Sequence, residues 1–203
     1  MDKFDLEVMK TVEALKSKKL VCIPTDTIYG LSANAFEKDL LKKASELKGR
    51  KSPFILLMDS INKVRGILSE IPVSFLKLKS EGLIPGPITV LLRVRVKIDY
   101  IVSNEGKIAV RIPSDDFLMA VLRELEFPII STSANITGMP PAKTIEEAKK
   151  YFGENVDIYI DGGYLDGEPS TIIDLSDSKI SLIREGRVPF SKIREIVEKE
   201  NQY

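Results

Sequence analysis

"DLEVMKTVEALKSKKLVCIP", residues 5–24, decides how the fold is read. Leu6, Met9, Val12 and Leu15 recur three apart among Lys and Glu, the spacing of one apolar helix face. "LVCIP" (20–24) then reads as a short buried strand closed by proline. A helix feeding a strand starts an α/β alternation, and the rest of the chain continues it. Next come a helix near 38–48, the strand "FILLM" (54–58), helical segments near 60–66 and 72–81, and two β-rich runs, "TVLLRVR" (89–95) and "KIAVRI" (107–112). "PSDDF" (113–117) opens a helix to about 125, with Ser114 as its N-cap and two aspartates at its positive end. "PIIST" (128–132) follows as a strand, and Thr144 and Glu147 make the TxxE capping box of a further helix. "VDIYID" (156–161), "STIIDLS" (170–176) and "KISLIRE" (179–185) are close-set strands before a last helix near 190–200. Helix-separated strands predict parallel pairs early, and the short connection between "TIIDLS" and "KISLI" predicts a late antiparallel hairpin. The sheet is therefore expected to be mixed. Without an internal repeat, a low-complexity tract or a long linker, residues 1–203 read as one domain.

Composition narrows the chemistry. With 203 residues and 43% hydrophobic content, the chain can fill a substantial core. Its longest apolar runs fall far short of the roughly 20 residues that span a bilayer. "MDKFDLEVMK" (1–10) also lacks the apolar stretch of a secretion signal, so no membrane and a cytoplasmic location are expected. Cys22, the only cysteine, cannot form an intrachain disulfide and sits in an apolar run that reads as buried. No histidine is present. Its absence excludes the usual Cys/His zinc sites, Ser-His-Asp and Cys-His catalysis, and every histidine base. Thirty basic and thirty acidic residues cancel, which argues against a surface that binds nucleic acid everywhere but leaves room for a local basic patch.

Polar clusters fall at strand ends: "PTDT" (24–27), "STSAN" (131–135) and "EPST" (168–171). Ligands of open α/β sheets gather at such ends, where hydroxyls and backbone N–H groups hold anionic oxygens. Turns and caps use the same residue types, so no cluster is informative alone. Cations lie close to them in chain order: Lys48, Arg50 and Lys51 around Gly49, Arg111 in "VRIP" (110–113), and Arg184 in "LIREG" (182–186). Arg111 ends a run that reads as buried on both faces, so its guanidinium needs an anionic or multiply accepting partner, either a ligand or a structural carboxylate. Arg93, Arg95 and Lys97 share one strand face, which reads as a solvated surface or as an RNA-contacting stripe. Neither GxxxxGK[ST] nor GxGxxG after the first strand is present, so a nucleotide would have to be held by scattered hydroxyls and cations.

Taken in order, "PTDTIYGL", "KGR", "PGPITVLL", "VRIP", "SANITG", "DGG", "PSTIIDL" and "LIREG" resemble the YrdC/Sua5 family, the L-threonylcarbamoyladenylate synthases. The resemblance runs from about residue 20 to 187. It implies a single YrdC-type α/β domain: a twisted mixed sheet with flanking helices around a concave, basic cavity. It also implies a reaction in which L-threonine, bicarbonate and ATP give threonylcarbamoyl-AMP and pyrophosphate, the first step toward the t6A modification of ANN-decoding tRNAs. The family's KxR pair falls on Lys48 and Arg50, to which catalysis and ATP binding are carried over, and its SxN pair on Ser133 and Asn135, at the ATP phosphates. Ser52 and Arg184 align with further nucleotide contacts, and Thr27, Arg111, Ser131 and Ser170 with positions that hold threonine. Mg2+ is expected to arrive with ATP and not in a dedicated protein site. Contact with tRNA and hand-over to a threonylcarbamoyl transferase are implied partners. Three positions depart from the family: Lys51 stands where Pro is usual, Lys107 where Ser or Thr is common, and Pro140 or Pro141 where Ser is. The chain also resembles the short members that lack the second domain of longer Sua5 proteins. Two alternatives stand beside this reading, a non-catalytic RNA-binding module and a YciO-like or HypF-like paralogue with another substrate.

Overall fold

The computed structural model describes residues 2–49, 54–95 and 106–199. Helix α1 (Lys3–Lys16) begins at Asp2, whose carboxylate accepts from the Asp5 N–H at 2.8 Å. Its inner face is Thr11, Val12, Ala14 and Leu15; Leu6 and Met9 are about half exposed, at 48% and 50%. The predicted stripe therefore holds in the second half of the helix, at Val12 and Leu15, and fails in the first, at Leu6 and Met9. Fully buried Leu15 contributes roughly 1.5–3 kcal/mol to holding the helix on the sheet.

Along the chain follow β1 (Val21–Ile23), β2 (Gly30–Asn34), α2 (Lys38–Lys48), β3 (Ile55–Leu57), α3 (Val73–Ser80), β4 (Ile88–Arg93), β5 (Lys107–Arg111), α4 (Asp116–Arg123) and β6 (Ile129–Ser133). Then come α5 (Ile145–Phe152), β7 (Ile158–Tyr159), β8 (Thr171–Asp174), β9 (Ser181–Arg184) and α6 (Phe190–Glu198). The described strands form one nine-stranded mixed, twisted sheet in the order β7-β1-β2-β6-β3-β5-β4-β8-β9. The late hairpin is present, with β8 and β9 antiparallel. Of the expected early parallel pairs one is present, β3 with β5, whereas β1 and β3 do not pair. β1 pairs antiparallel with β2, for which the sequence pattern predicts no element, and the parallel pairs are β1 with β7, β3 with β5 and β4 with β8. β2 escaped notice because "GLSAN" carries little β propensity and opens on Gly30. A side chain at Gly30 would stand 2.5 Å from the Ser131 hydroxyl on the neighbouring strand.

Alternation divides the sheet into two faces. Leu20 and Cys22, Leu56, Val90 and Leu92, Ile108 and Val110, and Ile130 enter the larger core. Val21 and Ile23, Leu57 and Ile129 face the opposite way, under α1 and α4. Burial pushes the Cys22 thiol up to about 12. Asp115, and not Ser114, caps α4, accepting from the Leu118 N–H at 2.7 Å; Ser114 turns toward Asp26 instead. Thr144 caps α5 as expected, with the Glu147 carboxylate reaching one residue further back, to the Lys143 N–H.

Candidate active site

α1 and α4 cover only part of their face. Where they stop, Lys107 and Ala109 of β5, Leu91 of β4, Ile172 of β8 and Ile183 of β9 line the floor of a cavity of about 390 Å3. The same alternation that sends Ile108 and Val110 into the core sends Lys107, Ala109 and Arg111 to this side.

Three chain segments frame the cavity by close backbone approach. Gly167 lies so near the 24–28 loop that a Cβ there would stand 2.2 Å from the Thr27 carbonyl oxygen, and one at Gly186 would stand 2.1 Å from that of Pro169. The Arg187 N–H donates to the Pro169 carbonyl at 2.9 Å, and its guanidinium to the Asp26 carbonyl at 2.7 Å. The loop after β1, the approach to β8 and the exit from β9 are thus locked together. Thr27, Ser170 and Arg184 sit on these segments and line the cavity.

Arg111 is 5% exposed and multiply held. It donates from Nε to the Gly86 carbonyl (3.3 Å), from Nη1 to Thr27 Oγ1 (3.1 Å), and from Nη2 to the Asp26 carboxylate. A buried guanidinium called for an acceptor, and the protein supplies one in Asp26. Thr25 Oγ1 donates to the Ile28 carbonyl at 2.7 Å, which leaves Thr27 as the donor in the 3.0 Å pair between the two threonine hydroxyls. Arg184 donates to the Ser170 carbonyl at 2.9 Å. Burial, and then the charge of Arg111, hold its pKa below the ordinary arginine range. Among the described residues no carboxylate pairs with it, whereas Arg111 has Asp26 and Lys107 has Asp174 at 2.8 Å. Among the described residues, two of the three cations lining the cavity are therefore offset by carboxylates.

On the opposite wall Ser131 and Ser133, two apart on β6, both line the cavity. The Ser131 hydroxyl accepts from Ser32 at 3.2 Å, and the Ser170 hydroxyl pairs with Thr89 at 2.8 Å. Lys48 is bonded to Ser133. Its ammonium donates to the Ser133 carbonyl (2.6 Å), the Ser133 hydroxyl (3.1 Å) and Asn135 Oδ1 (2.7 Å), and the residue is 2% exposed. Ser133 in turn donates to Asn135 Oδ1 at 2.6 Å, closing a triangle. Lys48 and Asn135 thus join the cavity lining through their bonds to Ser133 and do not line it themselves.

Of the residues singled out in the sequence, Thr27, Arg111, Ser131, Ser133, Ser170 and Arg184 converge on one cavity, with Lys48 and Asn135 joined to its lining through Ser133. Arg50 and Ser52, together with Lys51, lie outside the described residues. Arg93 and Arg95 are elsewhere, tied to Asp177 and to the Gly66 carbonyl, and Lys97 lies outside the described residues. Thr25 and Asp26 stand out in the sequence only as members of the "PTDT" cluster, with no role of their own, and Thr89 does not stand out at all, because the partners that matter, Arg111 for Asp26 and Ser170 for Thr89, are remote in sequence.

Among the described residues no group of three or more His, Cys, Asp or Glu side chains is placed to hold a metal ion. No helix among them is long and apolar enough to cross a membrane.

A family model covering Sua5, YciO and YrdC proteins, described as "Telomere recombination", matches residues 13–186. The chain is similar to the threonylcarbamoyl-AMP synthase of Pyrococcus abyssi, 32% identical over 90% of this chain and 55% of that one. It thus spans about half the length of that relative. A Methanocaldococcus jannaschii protein provisionally given the same name is 33% identical over 92% of this chain and 91% of its own. Among solved structures, P. abyssi Sua5 complexed with L-threonine superposes with a TM-score of 0.86 at 30% identity, covering 94% of this chain and 57% of that one. E. coli YciO superposes with a TM-score of 0.79 at 26% identity, covering 92% and 91%.

Proposed function

The chain belongs to the Sua5/YciO/YrdC family, and on that premise we propose that it makes threonylcarbamoyl-AMP and pyrophosphate from L-threonine, bicarbonate and ATP. One observation carries the proposal: Thr27, Arg111, Ser131, Ser133, Ser170 and Arg184, brought from five separated stretches of sequence, line a single cavity. The names of the relatives and the threonine held by P. abyssi Sua5 support it.

In this reading the threonine amine takes up bicarbonate-derived CO2 as a carbamate. A carbamate oxygen then forms a bond to the α-phosphorus of ATP while the bond to the leaving pyrophosphate breaks. Charge accumulates on phosphoryl oxygens, so positioning and preorganised donors supply the catalysis and no histidine is required. Arg111 receives the threonine carboxylate and Ser131 and Ser170 its polar groups, while Ser133 and Arg184 face phosphate. Lys48 places its charge 3.1 Å from the Ser133 hydroxyl. Asp26 and Asp174 are occupied by Arg111 and Lys107, two of the cations that line the cavity. Mg2+ would therefore be held chiefly by the triphosphate and water, neutralising phosphate charge. The product is a mixed anhydride that a transferase acting on tRNA would consume.

The test is pyrophosphate release from purified protein supplied with MgATP, bicarbonate and each amino acid in turn. Release should require threonine, and Arg111→Ala or Arg184→Ala should lower it roughly a hundredfold or more, the scale of losing a preorganised donor. Arg93→Ala should leave it unchanged. Release driven by another amino acid would favour a YciO-like role, for which Lys107 in the cavity floor is the motivating departure. Salt-sensitive tRNA binding without turnover would favour the RNA module.

A further inference from the structure

We infer that Asp26 is a positioning residue for the amino-acid substrate: it sets the plane of the Arg111 guanidinium and offsets its charge so that Arg111 and Arg184 can face one cavity. The inference rests on the proposed function in one respect, the assignment of the substrate carboxylate to Arg111.

Asp26 does not itself line the cavity. Its side chain is 9% exposed, and both carboxylate oxygens are engaged. Oδ1 accepts from Arg111 Nη2, and Oδ2 faces the Ser114 N–H at 3.4 Å and the Ser114 hydroxyl at 3.3 Å. Its main-chain carbonyl accepts from Arg187 at 2.7 Å, so the residue is fixed from the backbone as well. An Asp held at three points presents a fixed anion to Arg111.

A guanidinium carries five N–H donors, and those of Arg111 that are used go to Gly86, Thr27 and Asp26. These partners come from two segments, the 24–28 loop and the turn before β4, and define the plane of the group. The remaining two N–H donors meet no partner among the described residues, and because Arg111 lines the cavity they are assigned, under this inference, to the substrate carboxylate. Gly86 and Thr27 contribute neutral acceptors, so Asp26 supplies the only full negative charge on Arg111 among the described residues. Without it, the two guanidinium groups that line the cavity would both lack a carboxylate among the described residues, and the charge of Arg111 is already felt at Arg184. Asp26 therefore orients one cation and relieves the repulsion between two, although it touches neither substrate.

Asp26→Asn keeps the shape and one acceptor while removing the charge. It should raise the KM for threonine about tenfold or more and leave kcat and the KM for ATP within about threefold of wild type. Ser114→Ala, which removes one support of the carboxylate, should shift the threonine KM in the same direction by less. Calorimetric titration with L-threonine and, separately, with a non-hydrolysable ATP analogue should show the same split in both variants. A residue serving stability alone would lower the melting temperature and leave both affinities of the folded protein unchanged. That result, or equal weakening of threonine and nucleotide, overturns the inference. Should Asp26→Asn fail to fold, Ser114→Ala decides alone. Wild-type protein that neither binds nor uses threonine overturns the proposed function and this inference with it; wild-type binding that the two variants leave intact overturns only the inference.

Discussion

Lys107 lines the cavity, and its ammonium lies 2.8 Å from Asp174 and 3.6 Å from Asp177. Burial acts to raise the Asp174 pKa, but hydrogen bonds from Lys107 and Ser176 outweigh it and hold the carboxyl below its usual range. An acid with a lowered folded-state pKa stabilises the fold above its unfolded value, near 3.9, and loses that contribution as pH falls through the folded value. Lys107→Met leaves a carboxylate nine-tenths buried without its cation, a change that costs roughly 3–5 kcal/mol at neutral pH. Urea melts should show this deficit at pH 7 and a smaller one at pH 3, where Asp174 in the variant takes up a proton; an equal deficit at both would remove the charge explanation. A lysine in an unusual place was visible in the sequence, but a partner 67 residues away was not. The same holds for Arg111. Its need for an acceptor followed from burial, whereas the choice of Asp26, 85 residues distant, follows from how the 24–28 loop folds back.

Whole elements matter through what holds them together, and Gly167 is the clearest case. With a Cβ 2.2 Å from the Thr27 carbonyl, alanine there must displace either its own loop or the 24–28 loop, and both carry groups facing the cavity. Gly167→Ala should cost roughly 1–3 kcal/mol in denaturant titrations, as overpacking does, and should weaken threonine binding while far-UV circular dichroism stays as in wild type. Unchanged threonine affinity would show that the rim tolerates the shift. Most helices were legible because caps and apolar spacing are local: Thr144 opens α5 where the TxxE pattern put it. In α1 the predicted stripe is right at Val12 and Leu15 and wrong at Leu6 and Met9, since spacing alone cannot say how far along an amphipathic helix the contact with the sheet extends. β2 was missed because its neighbours, and not its own residues, make it a strand.

For the molecule as a whole, strand order is the organising fact. β2 lies beside β6, β4 beside β8 and β1 beside β7, so the cavity takes residues from both ends of the chain. Mixed pairing was anticipated from connection lengths, but the interleaving was not, because pairings between distant segments leave no local signature. A ligand that spans these segments should stabilise the entire fold. L-threonine at a hundredfold its Kd should add about 2.7 kcal/mol. For a chain of this size that is a rise in Tm of several degrees, roughly 2–4 °C per kcal/mol. The rise should be absent in Arg111→Ala, and its persistence there would place threonine elsewhere.

Cys22 has a further use. It is fully buried in β1, with its thiol pushed up to about 12, so at neutral pH almost no thiolate exists for an electrophile to meet. The native chain is in effect chemically silent toward maleimides, and one cysteine engineered at the rim would carry a fluorophore or spin probe as the sole labelled position, with no background to subtract.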